Sequence, residues 1–250
     1  MLDSMGMQLW SDADRTYGRL PVTPWLCGPG GGLRVGALAI LVDMVVGHTP
    51  SMAINPTIDM SVRWTAAAPT PGVVVRADAS ILRFGRQQVV GETTIFDDAS
   101  GDVLGWGSAA FVHRRMGPPL GPIATPRGEG PQAASVEELL GVTSPRAGVV
   151  ELPYGSRVAN AGEAVATVMG GIQAVVAEMA ADQATPAGYV VCGLTIRYLS
   201  RVKVGPLRAI AEVLPGTAVL RSIRVRLIDA GDGGRLVAHA VADARPRVQA

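Results

Sequence analysis

Two acidic residues stand out because each follows a glycine by seven positions inside an apolar segment. Asp43 follows Gly36 in one segment, and Glu178 follows Gly171 in the other. A carboxylate among apolar residues is costly unless it is paired, is protonated or lines a cavity. In a cavity it can act as a general base or as a nucleophile. Asp43 and Glu178 are therefore the first candidates for catalytic residues.

The glycines that precede these acids are candidates for a complementary task. The first backbone N–H groups of a helix are unpaired and carry a partial positive charge, and glycine lets another group approach them closely. Gly36, Gly170 and Gly171 could therefore form an oxyanion site for a polarised carbonyl group. The alternative is that these glycines only permit close packing of a helix on the sheet.

The two segments belong to a longer internal repeat. The paired glycines and the paired acids are both 135 positions apart. Downstream, 59–64 matches 193–198 at an offset of 134, and 97–101 matches 229–233 at an offset of 132. The offset falls steadily along the chain, as small deletions in loops would cause. The sequence therefore predicts two copies of one structural unit.

Each copy is predicted to contain a buried helix followed by four strands, with an earlier strand before the helix. We expect helices at about 34–47, apolar nearly all round, and 168–183, apolar on one face. The strands are expected at 57–66, 73–83, 87–97 and 104–113, then at about 190–199, 207–214, 219–229 and 235–243. The predicted units are a first repeat at 1–115, a Pro- and Gly-rich linker with one short helical pattern at 116–150, and a second repeat at 151–250.

Composition argues against several classes of partner. Lys and Arg number 22 and Asp and Glu 21, so no basic excess favours nucleic acid or an anionic membrane. The most apolar run, 35–46, is shorter than the roughly 20 residues of a membrane-spanning helix, and no secretory signal is visible. Two isolated cysteines and three scattered histidines favour a reducing cytoplasm and no metal site. We expect a cytoplasmic protein without a metal or cofactor.

A helix that opens on glycines, carries an acid seven residues later and precedes four antiparallel strands resembles the hotdog-fold thioesterases, especially the phenylacetate-degradation type. The family's helix usually begins His-Gly-Gly. Arg34 and Met169 stand at the His position here, and Val35 replaces the first glycine of the first copy. The second copy keeps both glycines, which favours the Glu178 copy as the better preserved one.

This resemblance implies an α+β fold, a double hotdog in which an antiparallel sheet wraps a central helix in each repeat. The two repeats would form an intramolecular pseudo-dimer, and two such chains would form a homodimer. The implied activity is hydrolysis of an acyl-CoA thioester by Asp43, Glu178 or both. Besides the glycines, the implied catalytic set contains Asn160, Ser61 and Thr195, which would hold or orient the water, the thioester or the acid.

A CoA substrate also needs contacts for its phosphates, which arginine can bind with two parallel hydrogen bonds. Candidates at a turn between strands in the first copy are Arg83, Gly85 and Arg86. Comparable surface in the second copy is expected to carry Arg201, Lys203 and Arg221.

Two other functions stay open at this point. Asp43 and His48 have the spacing that hotdog enoyl-CoA hydratases use, which would indicate a hydratase or dehydratase of acyl thioesters. The absence of the family's His from both copies would instead suit a non-catalytic acyl-CoA-binding protein. Nor does the sequence separate attack by the carboxylate from activation of water.

Overall fold

The structure is a computed structural model that describes residues 5–12, 15–49, 56–113, 134–155 and 167–247. Its helices are α1 (Val35–Gly47), α2 (Val136–Leu140) and α3 (Gly170–Ala184). The first half carries β1 (Gln8–Ser11), β2 (Arg15–Pro21), β3 (Thr57–Trp64), β4 (Val74–Phe84), β5 (Gln88–Asp97) and β6 (Val103–Val112). The second half carries β7 (Thr143–Arg146), β8 (Val149–Leu152), β9 (Tyr189–Tyr198), β10 (Leu207–Val213), β11 (Arg221–Asp229) and β12 (Arg235–Pro246).

The twelve strands form one antiparallel sheet with the order β1-β2-β4-β5-β6-β3-β9-β12-β11-β10-β8-β7. The two halves join where β3 pairs with β9, and Ser61 lies opposite Thr195 in that pair. Read outward from this pair, the strand order is the same in both halves. The eight strands predicted after the two helices are present, with ends within three residues of the predicted ones.

The long helices α1 and α3 pack against each other in opposite directions. A Cβ atom on Gly36 would lie 2.6 Å from the Cα atom of Val175, and one on Gly171 would lie 2.8 Å from the Cα atom of Ile40. Backbone therefore touches backbone at both crossings, and only glycine fits there. These two glycines therefore serve close packing, but between the two helices rather than between a helix and the sheet as the sequence suggested.

The helix α3 is buried on more than the one face that was predicted. All residues from Gly171 to Ala181 are buried, including Gln173 and Glu178. Alanines on the remaining sides of α3 are small enough to lie against α1 and the sheet, which an apolar-face pattern built on Ile and Val does not reveal. In the described ranges α1 and α3 have 13 and 15 residues, and no helix there is long and apolar enough to cross a membrane.

The predicted linker is corrected over its second part. Residues 134–150 contain α2, β7 and the start of β8, and β8 pairs with β10 as β2 pairs with β4. They therefore belong to the sheet of the second half, while 116–133 lie outside the described residues. The strands escaped prediction because each has four residues and Pro145 interrupts the first of them. The first half likewise has two strands before its helix rather than one.

Candidate active site

Each helix acid binds the N-terminus of the other helix. Oδ2 of Asp43 accepts a hydrogen bond of 3.1 Å from the Gly171 N–H. The two oxygens of Glu178 accept hydrogen bonds of 2.7 Å from Val35 N–H and 2.8 Å from Gly36 N–H. Because α1 and α3 run antiparallel, an acid and the glycines of its own segment belong to different sites. This corrects the preference for the Glu178 copy, since the glycine pair at the start of α3 faces Asp43.

The Asp43 carboxylate is held by a hydroxyl as well as by an amide. The Thr57 hydroxyl donates a hydrogen bond of 2.7 Å to Oδ1 of Asp43. Thr57 can face α1 because the register of β3 shifts between Thr57 and Asp59, and such a bulge redirects a side chain. Sequence reasoning missed Thr57, because the pattern of β3 gives no sign of this bulge.

The first turn of α3 lies next to this carboxylate. The Tyr198 hydroxyl donates a hydrogen bond of 2.7 Å to the Gly170 carbonyl and so fixes that turn. Among the described residues, the Gly170 N–H has no acceptor. Burial raises the pKa of Asp43 above its ordinary value, and the bonds from Thr57 and Gly171 oppose that rise. The site thus combines a desolvated carboxylate with a helix amide that has no partner among these residues.

The side chains around Glu178 differ from those around Asp43 at the strand bulge and just before the helix. The pairing of β9 with β12 shifts register around Cys192, so Val191 takes the position that Thr57 has in β3. Glu178 therefore has no hydroxyl partner there. Arg34 stands at the start of α1, where α3 has Met169, and it donates hydrogen bonds to Asp182, at 2.9 Å, and to Glu137.

This buried arginine lies among three acids, of which Glu178 is buried and Glu137 is partly exposed. Burial raises the pKa of Glu178, and the Arg34 charge opposes the rise. The pKa of Asp182 is raised to about 8 by burial and by the negative charge of Glu178. From the sequence Glu178 looks like a lone acid in an apolar helix, but in the structure its pKa depends on neighbouring charges as well as on burial.

Ser61 and Thr195 do not reach either acid. Their hydroxyl oxygens lie 2.9 Å apart at the centre of the sheet. Met60 and Val62 beside Ser61 are buried against the helices, so Ser61 and its partner lie on the opposite face of the sheet. Their predicted role in orienting water or the acid is therefore wrong. Asn160 lies outside the described residues.

Asp43 and His48 are not joined in the way that a hydratase would need. Nδ1 of His48 lies 2.9 Å from the Met44 carbonyl, while the two oxygens of Asp43 are bonded to Thr57 and Gly171. Burial lowers the pKa of His48, which favours its neutral form. The spacing of the two residues thus has no matching contact among the described residues.

The candidate phosphate-binding residues are divided between the two opposite ends of the strands. The turn of Gly85 and Arg86, next to Arg83, lies beside the end of β6, because the His113 N–H donates to the Gln87 carbonyl at 2.8 Å. The start of β3 adjoins it through a 2.9 Å bond from the Val112 N–H to the Pro56 carbonyl. The Asp43 site therefore lies at the same end of the strands as this turn.

The second-copy candidates do not share one surface. Arg201 and Lys203 follow β9, which ends at Tyr198. They therefore lie at the same end of the strands as the Asp43 site. Arg221 begins β11 at the opposite end of the strands, where its guanidinium lies 5.7 Å from the Tyr189 ring centre. The grouping of Arg221 with Arg201 and Lys203 is wrong, because Arg221 lies at the opposite end of the strands from the other two residues.

No family model matches this chain, and no curated protein sequence matches it significantly. Solved structures do. A protein of unknown function with a hotdog fold from Alicyclobacillus acidocaldarius has 14% identity and a TM-score of 0.61, with 100% of this chain and 98% of that chain covered. The chain has the hotdog fold.

Two further hotdog structures carry names of enzymes. A 12:0-ACP thioesterase from Umbellularia californica has 14% identity and a TM-score of 0.61, covering 93% of this chain and 97% of its own. An acyl-ACP thioesterase from Bacteroides thetaiotaomicron has 11% identity and a TM-score of 0.61, covering 92% and 98%. At these identities the likeness concerns the fold, and it extends over nearly the whole of each chain.

Proposed function

We propose that this hotdog protein hydrolyses acyl thioesters at a single site built around Asp43. The two halves would act as an intramolecular pseudo-dimer, because α1 supplies the acid and α3 supplies the helix N-terminus. The observation that carries the proposal is the Asp43 carboxylate held between the Thr57 hydroxyl and the Gly171 amide, beside the Gly170 amide. Neighbours of the same fold that are named thioesterases support the same reaction class.

In the proposed reaction, the thioester carbonyl oxygen accepts a hydrogen bond from the Gly170 N–H. The partial positive charge at the start of α3 stabilises the oxyanion that forms there. Asp43 either removes a proton from the attacking water or attacks the carbonyl carbon itself, and its raised pKa makes it a stronger base than an exposed carboxylate. Water then supplies the hydroxyl of the released acid and the hydrogen of the released thiol.

The Glu178 site is less suited to this chemistry. Both amides at the start of α1 already donate to Glu178, so a carbonyl would have to displace the carboxylate. Val191 offers no hydroxyl to hold the acid or a water molecule. We therefore assign Glu178 the task of capping α1 across the helix pair.

For the carrier of the acyl group we propose CoA. Its phosphates would lie at the end of the strands where the Asp43 site is found. Arg83, Arg86, Arg201 and Lys203 are exposed there. Gly85 would let the backbone of the turn approach a phosphate closely. Pairing of two chains into a homodimer in the cytoplasm completes the proposal.

The test is release of free thiol from a panel of acyl-CoAs by the wild type and by two matched variants. Asp43→Asn should lower kcat by two orders of magnitude or more, on the scale of losing a general base. Glu178→Gln should keep activity within about threefold, since the amide oxygen of Gln can still accept a hydrogen bond from one of the two α1 amides. Equal activity of Asp43→Asn and the wild type would overturn the proposal. So would disappearance of an enoyl-CoA without thiol release, or acyl-CoA binding without turnover.

A further inference from the structure

A cavity of about 310 Å³ opens beside Glu178, between the start of α1, the end of α3 and the start of β9. This volume is at the small end of ligand pockets and holds roughly ten water-sized atoms. Asp43 and Thr57 are not part of its wall. The cavity is therefore separate from the proposed hydrolytic site.

Two hydrogen-bond donors in the wall of this cavity have no acceptor among the residues that the structure describes. They are Nε1 of Trp64 and Nε of Arg34, whose side chains are only 4% and 7% exposed. Trp64 ends β3 as Tyr198 ends β9. The Tyr198 hydroxyl donates to the Gly170 carbonyl, whereas no described residue accepts a hydrogen bond from the Trp64 N–H. A buried donor without a partner is costly, so a ligand that brings an acceptor would be favoured.

Two arginines at the same cavity have no carboxylate partner among the described residues. Arg245 and Arg247 line it and donate to the backbone carbonyls of Ala66 and Pro29. Neither forms an ion pair with a carboxylate of the described residues. Guanidinium groups that are held by neutral carbonyls remain available to an anion.

The acids of the cavity oppose an anion less than their number suggests. Both oxygens of Glu178 are turned to the α1 amides, and Asp182 accepts a hydrogen bond from Arg34. Burial and the negative charge of Glu178 raise the pKa of Asp182, which favours its neutral form. The rest of the wall is largely apolar, with Leu33, Ala68, Val190 and Val191 among its members.

We propose that this cavity is a second, non-hydrolytic site that binds a medium-chain carboxylic acid, with the carboxylate at Trp64 and the arginines and the chain against the apolar wall. An acid such as octanoate has ten non-hydrogen atoms, about the number that the cavity holds. The choice of a carboxylic acid over another small amphiphilic anion rests on the proposed function, because hydrolysis releases such an acid.

The first experiment is calorimetric titration of octanoate into the full chain. We expect one equivalent to bind the wild type and the Asp43→Asn variant with the same Kd, which separates this site from the hydrolytic one. Trp64→Phe keeps an aromatic ring but removes the indole N–H donor, and Arg245→Gln removes a cation. Each should weaken binding about tenfold, as expected for a lost hydrogen bond to a charged group. Octan-1-ol, which has no charge, and inorganic phosphate should bind at least tenfold more weakly than octanoate.

A second measurement locates the ligand directly. Cys192 lines the cavity and is half-buried, so in a Cys27→Ser background it is the single thiol of the chain. Saturating octanoate should slow its alkylation by iodoacetamide several-fold, also in the Asp43→Asn variant. Unchanged alkylation, unchanged affinity in both cavity variants, or loss of binding in Asp43→Asn would each overturn the proposal. Thiol release reports on the proposed function independently of all these results.

Discussion

At the scale of single residues, the site depends on a hydroxyl that only the folded sheet brings to the acid. Asp43 and the glycines were identified from residue type and spacing, because an acid in an apolar helix is conspicuous in a sequence. Thr57 was not, because its orientation follows from a bulge in β3. Ser61, two positions beyond Asp59, looked equally suitable and lies on the wrong face of the sheet.

The Thr57 hydroxyl should therefore matter for activity and for its pH dependence. Thr57→Val removes a hydrogen bond to a charged group, so we expect kcat to fall about tenfold or more, whereas Thr57→Ser should restore most of it. The hydroxyl holds the pKa of Asp43 down, so its loss should move the acid limb of the pH profile of kcat/KM to higher pH. Thr195→Val, which removes a hydroxyl on the outer face, is the control. A purely structural role of Thr57 would leave the acid limb where it is.

At the scale of elements, period and composition were enough for the two long helices and the eight strands that follow them. The pairing between the helices was beyond a sequence argument, because it depends on their relative direction. That direction decides that the glycines of one segment serve the acid of the other. The short strands β7 and β8 were missed because four residues give too little alternation to read.

The close crossing of α1 and α3 predicts which glycines tolerate no side chain. Gly36→Ala would place a Cβ atom 2.6 Å from the Cα of Val175, and Gly171→Ala one 2.8 Å from the Cα of Ile40. Each should lower the free energy of unfolding by about 1–3 kcal/mol, as overpacking in a core does. Chemical denaturation measures this, with Gly155→Ala as the control because no atom of the described residues lies within 4 Å of its Cβ position. Equal stability of all three variants would show that the helices can separate freely.

At the scale of the whole molecule, one architecture surrounds its two helix acids with different side chains. The strand order repeats outward from the β3–β9 pair, and both acids reach across to the opposite helix. The differences lie in a few side chains: Thr57 against Val191, and Met169 against Arg34 with its acidic partners. A repeated fold thus surrounds one acid with a hydroxyl and a helix amide, and the other with an arginine, further acids and a cavity.

The ion cluster should make the stability of the whole chain depend on pH through Asp182. Its pKa is about 8 in the folded protein against 3.8 as the ordinary value, so between these pH values the folded state binds a proton that the unfolded state has lost. Its contribution to stability is complete below about pH 4 and is lost as pH rises through 8. The free energy of unfolding of the wild type should therefore fall between pH 5 and pH 9. Asp182→Asn cannot ionise, so its curve should be flatter and the variant should gain on the wild type as pH rises.

Urea denaturation at a series of pH values tests this directly, with Asp102→Asn at the exposed β5–β6 turn as the matched control. The control should follow the wild-type curve, because Asp102 lies outside the cluster. Parallel curves for wild type and Asp182→Asn would mean that Asp182 is ionised in the folded protein at neutral pH. In that case the cluster would hold two buried negative charges beside Arg34, and the cavity at Glu178 would repel the carboxylate that we assign to it.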